Sequence, residues 1–170
     1  MAAVIAGSIS RLDSDREAET CARLMAGSEP WITLGRSYEA SLAIIRDPTR
    51  EVYVLRRDDA LAGFMILCMV GAFVGYIQTI CIDPAHRGLG LGSRLLEYAE
   101  QRILAEHSNV FMCVSSFNPG ARRLYERLGY HPVGELTDYL IAGHSEILLR
   151  KTRGPLTSCV PETSRPDQCS

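Results

Sequence analysis

Arg87-Gly88-Leu89-Gly90-Leu91-Gly92 is the stretch that decides the fold of this chain, because of the segments that flank it. Before it, residues 75–82 are strand-like and end at Asp83-Pro84. After it, the chain to residue 107 has apolar residues at helical spacing, at Leu91, Leu95, Leu96, Ala99 and Ile103. A strand, a glycine loop and a helix in this order aim free backbone N–H groups at an anion. The stretch therefore predicts a binding site for a phosphorylated cofactor.

Three phosphate-binding motifs share such glycines, and two of them do not fit. A Walker loop ends in Gly-Lys-Ser/Thr, which is absent here. A dinucleotide fingerprint that starts at Gly88 fails at its third glycine, where Ser93 stands. What remains is Arg-x-x-Gly-x-Gly, formed by Arg87, Gly90 and Gly92. A glycine-rich turn without a ligand is the structural alternative.

Together with two further stretches, this loop resembles the GNAT superfamily of acetyl-CoA-dependent N-acetyltransferases. Tyr76-Ile-Gln-Thr-Ile-Cys-Ile82 is similar to the family's fourth strand, which leads into its Arg/Gln-x-x-Gly-x-Gly/Ala loop. Residues 118–130 are similar to its Asn-x-x-Ala-x-x-Leu-Tyr-x-x-x-Gly-Phe block, with Tyr130 in place of Phe. The resemblance implies an acetyltransferase that uses acetyl-CoA as cosubstrate and needs no metal. It also implies an α/β (α+β) fold, with helices on both faces of a mixed, mostly antiparallel sheet of about seven strands.

Composition and charge are those of an ordinary soluble domain. The chain has 170 residues, 46% of them hydrophobic and 22% charged, enough for one core. A net charge of −2 gives no electrostatic reason to expect a nucleic acid or a membrane surface as partner. The N-terminus lacks the pattern of a signal peptide, so we expect a cytoplasmic protein. We predict one domain over residues 1–153 and a disordered tail over 154–170, which is rich in Pro and Ser.

The six cysteines are predicted to be free thiols. Cys68, Cys81 and Cys113 lie in apolar, strand-like runs, and no Cys-x-x-Cys pair exists. This pattern favours buried cytosolic thiols over a disulfide framework or a metal site. The four histidines show no metal-binding spacing either.

Periodicity and turn residues predict the order of the elements. The predicted strands are 4–12, 51–57, 61–70, 73–82, Asn109–Ser115, 130–140 and 145–151, with a hairpin turn at Asp58-Asp59. The predicted helices are 16–26, 37–46, 93–107 and 118–128. Because a helix connects strand 73–82 to strand Asn109–Ser115, these two strands should be parallel neighbours. The closing strands can pair across a homodimer.

The expected cofactor site follows from the loop and the resemblance. In the family, the two parallel strands splay apart around pantetheine, which implies that backbone groups of Ile80, Cys81 and Ile82 bind its amides. Asn118 is expected to contact the same arm. Backbone N–H groups of the loop should bind the pyrophosphate, and Arg87 can add charge. The loop residues concerned are Arg87, Gly88, Leu89, Gly90, Leu91, Gly92 and Ser93.

Tyr125 is the candidate general acid. It follows Asn118 by seven residues, almost two helical turns, so both side chains leave one helix face. Asn118 also fits a helix N-cap, with Pro119 at the first helical position. The resemblance implies that the Tyr125 hydroxyl reaches the coenzyme sulfur. A phenol of pKa about 10 can protonate a thiolate of pKa about 8.5 after the amine attacks. An ordinary core tyrosine is the alternative.

A carboxylate base is missing from the places where the family carries one. Some members have a glutamate on the fifth strand, where this chain has Cys113, and others on the fourth, where it offers Tyr76 and Gln78. Near pH 7, roughly one-tenth of an α-amine of pKa about 7.8 is deprotonated, whereas the deprotonated fraction of a lysine amine is far smaller. We therefore expect low-pKa amines to be the better acceptors.

Acceptor recognition is expected in the polar loop between the first two helices. Glu29, Trp31 and Arg36 in this loop can frame a cationic amine or an acidic group. Trp31 can equally cap the hydrophobic core. Tyr76, Gln78 and Tyr139 can line the same pocket. The acceptor itself stays open between a protein N-terminus, lysine, polyamine, amino sugar and small metabolite.

Two other classes of protein compete with an N-acetyltransferase that acts by direct attack of an amine. One is a non-catalytic acyl-CoA-binding or regulatory domain, which the missing carboxylate favours. The other is a nucleotide-binding domain, which the glycine loop alone would allow. The presence of Asn118 and Tyr125 weighs against the non-catalytic alternative.

Overall fold

The helices and strands follow the predicted order. The computed structural model describes residues 7–156. Its elements are β1 Ser8–Arg11, α1 Asp15–Ala26, α2 Tyr38–Ile45, β2 Arg50–Arg57, β3 Ala60–Cys68, β4 Tyr76–Ile82, α3 Leu91–Leu104, β5 Asn109–Ser115, α4 Pro119–Arg127, β6 His131–Thr137 and β7 Ser145–Thr152. A 3-10 turn at Pro84–His86, which was not predicted, joins β4 to the glycine loop.

Local sequence signals explain where several elements begin. The side chains of Ser14, Ser37 and Asn118 cap α1, α2 and α4 by accepting a backbone N–H three residues ahead. Asp58 and Asp59 both have positive φ, 50° and 62°, as a tight β-hairpin requires. The predicted cap at Asn118 and the predicted hairpin are therefore confirmed.

Several predicted strands extend too far, including 4–12 and 61–70, which end at Arg11 and Cys68, and two others are cut short by a turn. The fourth strand begins at Tyr76 and not at residue 73, because Gly71 and Gly75 have φ of 109° and 78° and form a turn. The sixth strand ends at Thr137 and not at residue 140, because Asp138 has a φ of 52°. In both cases a residue with a left-handed backbone interrupts an apolar run whose sequence predicts a strand.

The sheet has seven strands in the order β1-β2-β3-β4-β5-β7-β6. Only β4 and β5 are parallel within this sheet, and every other neighbouring pair is antiparallel. On one face α3 packs over Met65 and Leu67 of β3, and on the other α1 and α2 cover Phe64 and Ile66. The predicted mixed sheet with helices on both faces is confirmed.

A β-bulge in β4 shapes the centre of the sheet. Thr79 pairs with Ile66 and Ile77 pairs with Leu67, which leaves Gln78 without a partner on β3. Ile77 and Cys81 therefore face opposite layers although they are four residues apart. In addition, β4 pairs with β5 only at Tyr76 and Ile77, so the two parallel strands separate beyond that point. The separation opens a gap in the middle of the sheet.

The remaining predictions meet the structure only in part. Four cysteines are described, Cys21, Cys68, Cys81 and Cys113, and all four are free thiols as predicted. Of the predicted tail, Gly154 and Pro155 accept hydrogen bonds from Thr152 and Ser108. Residues 1–6 and 157–170 lie outside the described residues. They include the first three residues of the predicted strand 4–12 and most of the predicted tail. Between residues 7 and 156, no helix is long and apolar enough to cross a membrane.

Candidate active site

A cavity of about 270 Å³ occupies the gap between β4 and β5. The loop between α1 and α2, the start of α4 and the loop before β7 complete its wall. The predicted site residues that line it are Trp31, Arg36, Tyr76, Gln78, Ile80, Asn118, Tyr125 and Tyr139, and Cys113 lines it as well. The fold thus brings the candidate general acid and most of the candidate acceptor residues to one place.

Asn118 and Tyr125 reach this cavity from one face of α4. The Asn118 Oδ1 atom accepts the backbone N–H of Ala121 at 3.2 Å, so its amide NH₂ is left to donate. The Tyr125 ring lies edge-on to Tyr130, with centroids 6.2 Å apart. Burial raises the pKa of the Tyr125 phenol. Its hydroxyl can therefore hold a proton in the cavity well above neutral pH.

The glycine loop forms an uncapped helix start, as an anion site requires. Gly90 is the N-cap of α3 with a φ of 75°, and no side chain caps the helix. The first N–H groups of α3, from Leu91 to Ser93, have no acceptor within the helix. Gly88 has a φ of 74° and no atom within 4 Å of where a Cβ would stand. This open, donor-rich cradle fits a diphosphate group.

The side chains of Arg87 and Cys81 are turned to other contacts, so mainly backbone groups at the end of β4 are available to the coenzyme arm. The Arg87 Nε atom donates to the Ile82 carbonyl at 3.4 Å, which folds the side chain back onto the strand. Cys81 is 2% exposed, and burial raises the pKa of its thiol to about 12. Of the residues Ile80, Cys81 and Ile82, only Ile80 lines the cavity. Beyond Ile77, β4 no longer pairs with β5, so its backbone N–H and C=O groups on that edge can bind the amides of the coenzyme arm.

Three acceptor candidates, Glu29, Trp31 and Tyr139, differ in how they lie relative to the cavity. Glu29 is not among the cavity-lining residues, and its carboxylate instead accepts the Thr33 N–H at 3.2 Å. Trp31 is 8% exposed, packs in the core under α1 and α2 and also lines the cavity, so its position is compatible with both roles that the sequence allows. Tyr139 stands at the rim and is 62% exposed.

Glu146 is the residue that sequence reasoning missed. It lies on β7 opposite Ser115, is 6% exposed and lines the cavity. Its Oε1 atom accepts the Ser115 hydroxyl at 2.5 Å. Burial raises the pKa of this carboxyl, and the Ser115 hydrogen bond opposes the rise only in part. The available signal was a glutamate in an apolar strand, but its position depends on a pairing across 31 residues of chain.

Tyr76 and Cys113 sit side by side in the same cavity. The hydroxyl and the thiol share a hydrogen bond where β4 and β5 begin to diverge. Burial, the Cys113 thiol and the negative charge of Glu146 raise the pKa of Tyr76. Burial and the same charge raise the pKa of Cys113, while its hydrogen bond with Tyr76 lowers it. Both groups are therefore neutral at physiological pH, and neither is an activated nucleophile.

Comparisons with known proteins agree with this geometry. The model of the Acetyltransferase (GNAT) family matches residues 16–130. The N-alpha-acetyltransferase RimI of Mycobacterium tuberculosis is 29% identical over 155 residues, which cover 89% of this chain and 94% of that protein. Among crystal structures, the ribosomal-protein-S18-alanine N-acetyltransferase from Escherichia coli has a TM-score of 0.73 at 18% identity, over 88% of this chain and 96% of that one. An aminoglycoside 6′-N-acetyltransferase complexed with coenzyme A has a TM-score of 0.70 at 18% identity, over 94% and 99%.

The family match spans both the glycine loop and the segment from Asn118 to Tyr130. The described residues contain no group of three or more His, Cys, Asp or Glu that could hold a metal ion. The same fold recurs in acetyltransferases of known structure, one of which binds coenzyme A. The chain belongs to the GNAT acetyltransferase family and is an acetyl-CoA-dependent N-acetyltransferase.

Proposed function

We propose that this enzyme acetylates the α-amine of a peptide or protein N-terminus, by direct attack of the amine on acetyl-CoA with Tyr125 as general acid. The observation that carries the proposal is the cavity between β4 and β5, where the Tyr125 hydroxyl and Asn118 meet the candidate acceptor residues. Bound acetyl-CoA supplies an electrophilic thioester carbonyl. The residues of the chain then have to hold, orient and move protons around it.

Three parts of the chain would hold the coenzyme. Backbone N–H groups at the start of α3, with the open Gly88 before them, suit the diphosphate. The free edge of β4 near Ile80 suits the amides of the pantetheine arm. The Asn118 amide NH₂, which its capping bond leaves available, suits a carbonyl of the same arm.

Tyr125 would supply the proton that the leaving sulfur needs. Since burial raises its pKa, the phenol stays protonated at neutral pH, and it is a weaker acid than an exposed tyrosine. The sulfur gains negative charge as the C–S bond breaks, and the Tyr125 hydroxyl is then its proton donor. Burial raises the pKa of this hydroxyl without any contribution from a hydrogen bond to another described residue, so the hydroxyl is available to the sulfur.

Three observations favour an α-amine over other acceptors. The mycobacterial relative of similar length is named as an N-alpha-acetyltransferase. An α-amine of pKa about 7.8 needs far less help with deprotonation than a lysine amine of pKa about 10.4. The cavity of about 270 Å³ is smaller than most ligand pockets, which hold about 300–1,000 Å³. Because the coenzyme arm would enter the same cavity, the space that remains suits the first residue of a chain better than a multi-ring sugar.

An acceptor screen tests the substrate class. The enzyme is incubated with acetyl-CoA and, separately, with peptides that have a free α-amine, an N-terminally blocked lysine peptide, a polyamine and an aminoglycoside. We expect peptides with a free α-amine to gain one acetyl group by mass spectrometry. A clear preference for the blocked lysine peptide or the aminoglycoside would contradict the proposal.

The substitution Tyr125→Phe tests the general acid. Removing a general acid lowers kcat by about 10²–10⁴, while calorimetry should show unchanged binding of coenzyme A. Tyr38→Phe is the matched control, because Tyr38 packs in the other core and does not line the cavity. If Tyr125→Phe kept most of the kcat of the unmodified enzyme, another group would have to be the acid.

A further inference from the structure

We infer that Glu146 is the general base of this enzyme and binds the ammonium group of the acceptor. It takes the place of the carboxylate that the fourth and fifth strands lack. The inference rests on the proposed function, because it assigns a role within the same cavity. It identifies the acceptor as a cation that loses its proton to a carboxylate on β7.

The position of Glu146 follows from the sheet. Glu146 pairs with Ser115 at the end of β5, where β4 has already moved away. Its side chain can therefore project into the gap between the parallel strands, and it lines the cavity with Tyr76, Cys113 and Tyr125. The negative charge of Glu146 helps to raise the pKa of both Tyr76 and Cys113. The family resemblance implies a glutamate at the place of Cys113 in some members, and the Glu146 carboxylate on β7 lines the same cavity as Cys113.

The partners of Glu146 distinguish it from the other largely buried glutamates among the described residues. Glu17 is paired with Arg56, Glu51 with Arg102, and Glu100 with Lys151. Glu146 has only a neutral hydroxyl, that of Ser115, and no Arg or Lys contributes to its electrostatics. A buried carboxylate without a cation is costly, because its charge loses water and gains no counter-charge. An ammonium group from the acceptor would supply the missing cation.

Burial raises the pKa of Glu146 above the usual value of a glutamate, and no lysine or arginine among the described residues opposes that rise. The titratable and charged groups that line the cavity with it are Tyr76, Cys113, Tyr125, Tyr139 and Arg36. Burial raises the pKa of Tyr76, Cys113 and Tyr125, so they remain protonated at neutral pH. His144, two residues away, stacks edge-on against Phe117 at 5.0 Å. A base works best when its pKa lies near the working pH, and burial moves Glu146 in that direction.

The proton transfers balance. One N–H bond of the bound ammonium breaks, and that proton goes to a Glu146 carboxylate oxygen. The neutral nitrogen forms the new C–N bond while the C–S bond breaks, and the sulfur takes the Tyr125 proton. The second proton of the nitrogen returns to Tyr125 through solvent, and Glu146 releases its proton to solvent. The sum is an amide, a thiol and one free proton.

The test compares Glu146→Gln with the unmodified enzyme in kcat/KM for an α-amine peptide, from about pH 6 to about pH 9. We expect a loss of about 10²–10⁴ at neutral pH, recovery as the peptide amine becomes neutral on its own, and a higher KM for the peptide. Binding of coenzyme A should not change. Glu135→Gln, on the exposed face of β6, is the matched control and should retain the original profile.

The pH profile of Ser115→Ala is a second, independent test of the role of Glu146. Without the Ser115 hydrogen bond, the pKa of Glu146 rises further, so the acidic limb of the pH profile should move to higher pH. A merely structural role would lower activity equally at every pH. If Glu146→Gln kept its activity and acidic limb, or if Ser115→Ala left that limb in place, the role of Glu146 would be refuted while α-amine acetylation stood. If the enzyme acetylated only another amine, the proposed function would fail, and the same variants would be compared on that amine.

Discussion

Arg36 is the basic side chain among the residues that line the acceptor cavity, and its Nε atom is buried without a hydrogen-bond partner in the described part of the chain. A buried donor left unpaired costs about 1–3 kcal/mol. An acceptor that brings an acidic side chain to Arg36 would remove this cost. We therefore predict that peptides with Asp at the second position have a higher kcat/KM than peptides with Lys there.

The comparison needs only two peptides and two variants. Arg36→Gln should reduce the preference for the Asp peptide by about tenfold or more, which corresponds to about 1.4 kcal/mol. Arg16→Gln, which removes an exposed arginine on α1, should leave the preference unchanged. Equal kcat/KM values for the two peptides with the unmodified enzyme would contradict a role for Arg36 in selection.

Single residues were predictable from sequence where their geometry is local. Asn118 and Tyr125 share one helix, so their spacing alone places them on one face. Glu146 reaches the cavity through its pairing with Ser115, which is distant in the chain, and no periodicity in β7 reveals that register. Glu29 was expected in the pocket because it lies in the right loop, but its carboxylate binds the Thr33 N–H of the same loop.

At the level of elements, the start of α3 carries the next prediction. Gly88 has a φ of 74° with open space around it, so Gly88→Ala introduces no clash but a strained backbone. Left-handed backbone costs about 1–2 kcal/mol for a residue with a Cβ. We expect Gly88→Ala to rearrange the loop and to weaken coenzyme A binding by about tenfold or more. Calorimetric titration with coenzyme A measures the effect.

Gly92 provides the matched control within the same loop. It lies inside α3 with an ordinary φ, and a Cβ would meet only Ile82 Cγ1 at 3.8 Å. Gly92→Ala should therefore retain coenzyme affinity and stabilise the protein by about 0.5–1 kcal/mol, since alanine favours helix. Equal losses of affinity in both variants would mean that the loop tolerates no side chain at all, rather than that its conformation matters.

The elements themselves were predictable because caps, turns and periodicity are short-range signals. Asn109–Ser115 was predicted to the residue, and Asp58-Asp59 was identified as the hairpin. The bulge at Gln78 was not predicted, because it exists only relative to the register of β3. That bulge, with the early end of the β4–β5 pairing, positions the cavity. The sequence thus predicts which strands flank the site, and tertiary pairing decides what faces it.

For the whole molecule, three expectations remain predictions. They are the extent of the domain over residues 1–153, the cytoplasmic location and the pairing of the closing strands across a homodimer. The last has a physical basis in β6, which forms the outer edge of the sheet and exposes Val133 and Leu136. Light scattering of the purified protein would decide between a monomer and a dimer.

Stability of the whole fold should depend on an ion pair that ties the sheet to α3. The Glu51 carboxylate on β2 accepts from Arg102 of α3 at 2.8 and 3.0 Å and from the Tyr53 hydroxyl at 2.8 Å. Burial alone would raise the pKa of Glu51, but these hydrogen bonds and the charges of Arg102 and Arg11 lower it below its usual value. Replacing Glu51 with Gln weakens hydrogen bonds to a charged group, so we expect a loss of about 1–3 kcal/mol at neutral pH.

The same ion pair predicts how that loss depends on pH. A carboxyl whose pKa is lowered in the folded state stabilises the protein above the unfolded pKa, and this contribution disappears as pH falls through the folded pKa. The difference in Tm between the unmodified protein and Glu51→Gln should therefore be largest near neutral pH and shrink below about pH 4.5, the usual range of a glutamate. Glu135→Gln, which removes an exposed carboxylate, should follow the unmodified protein throughout. Thermal denaturation followed by circular dichroism measures the difference, and a gap that stays constant down to the acid transition would show that Glu51 contributes packing and not charge.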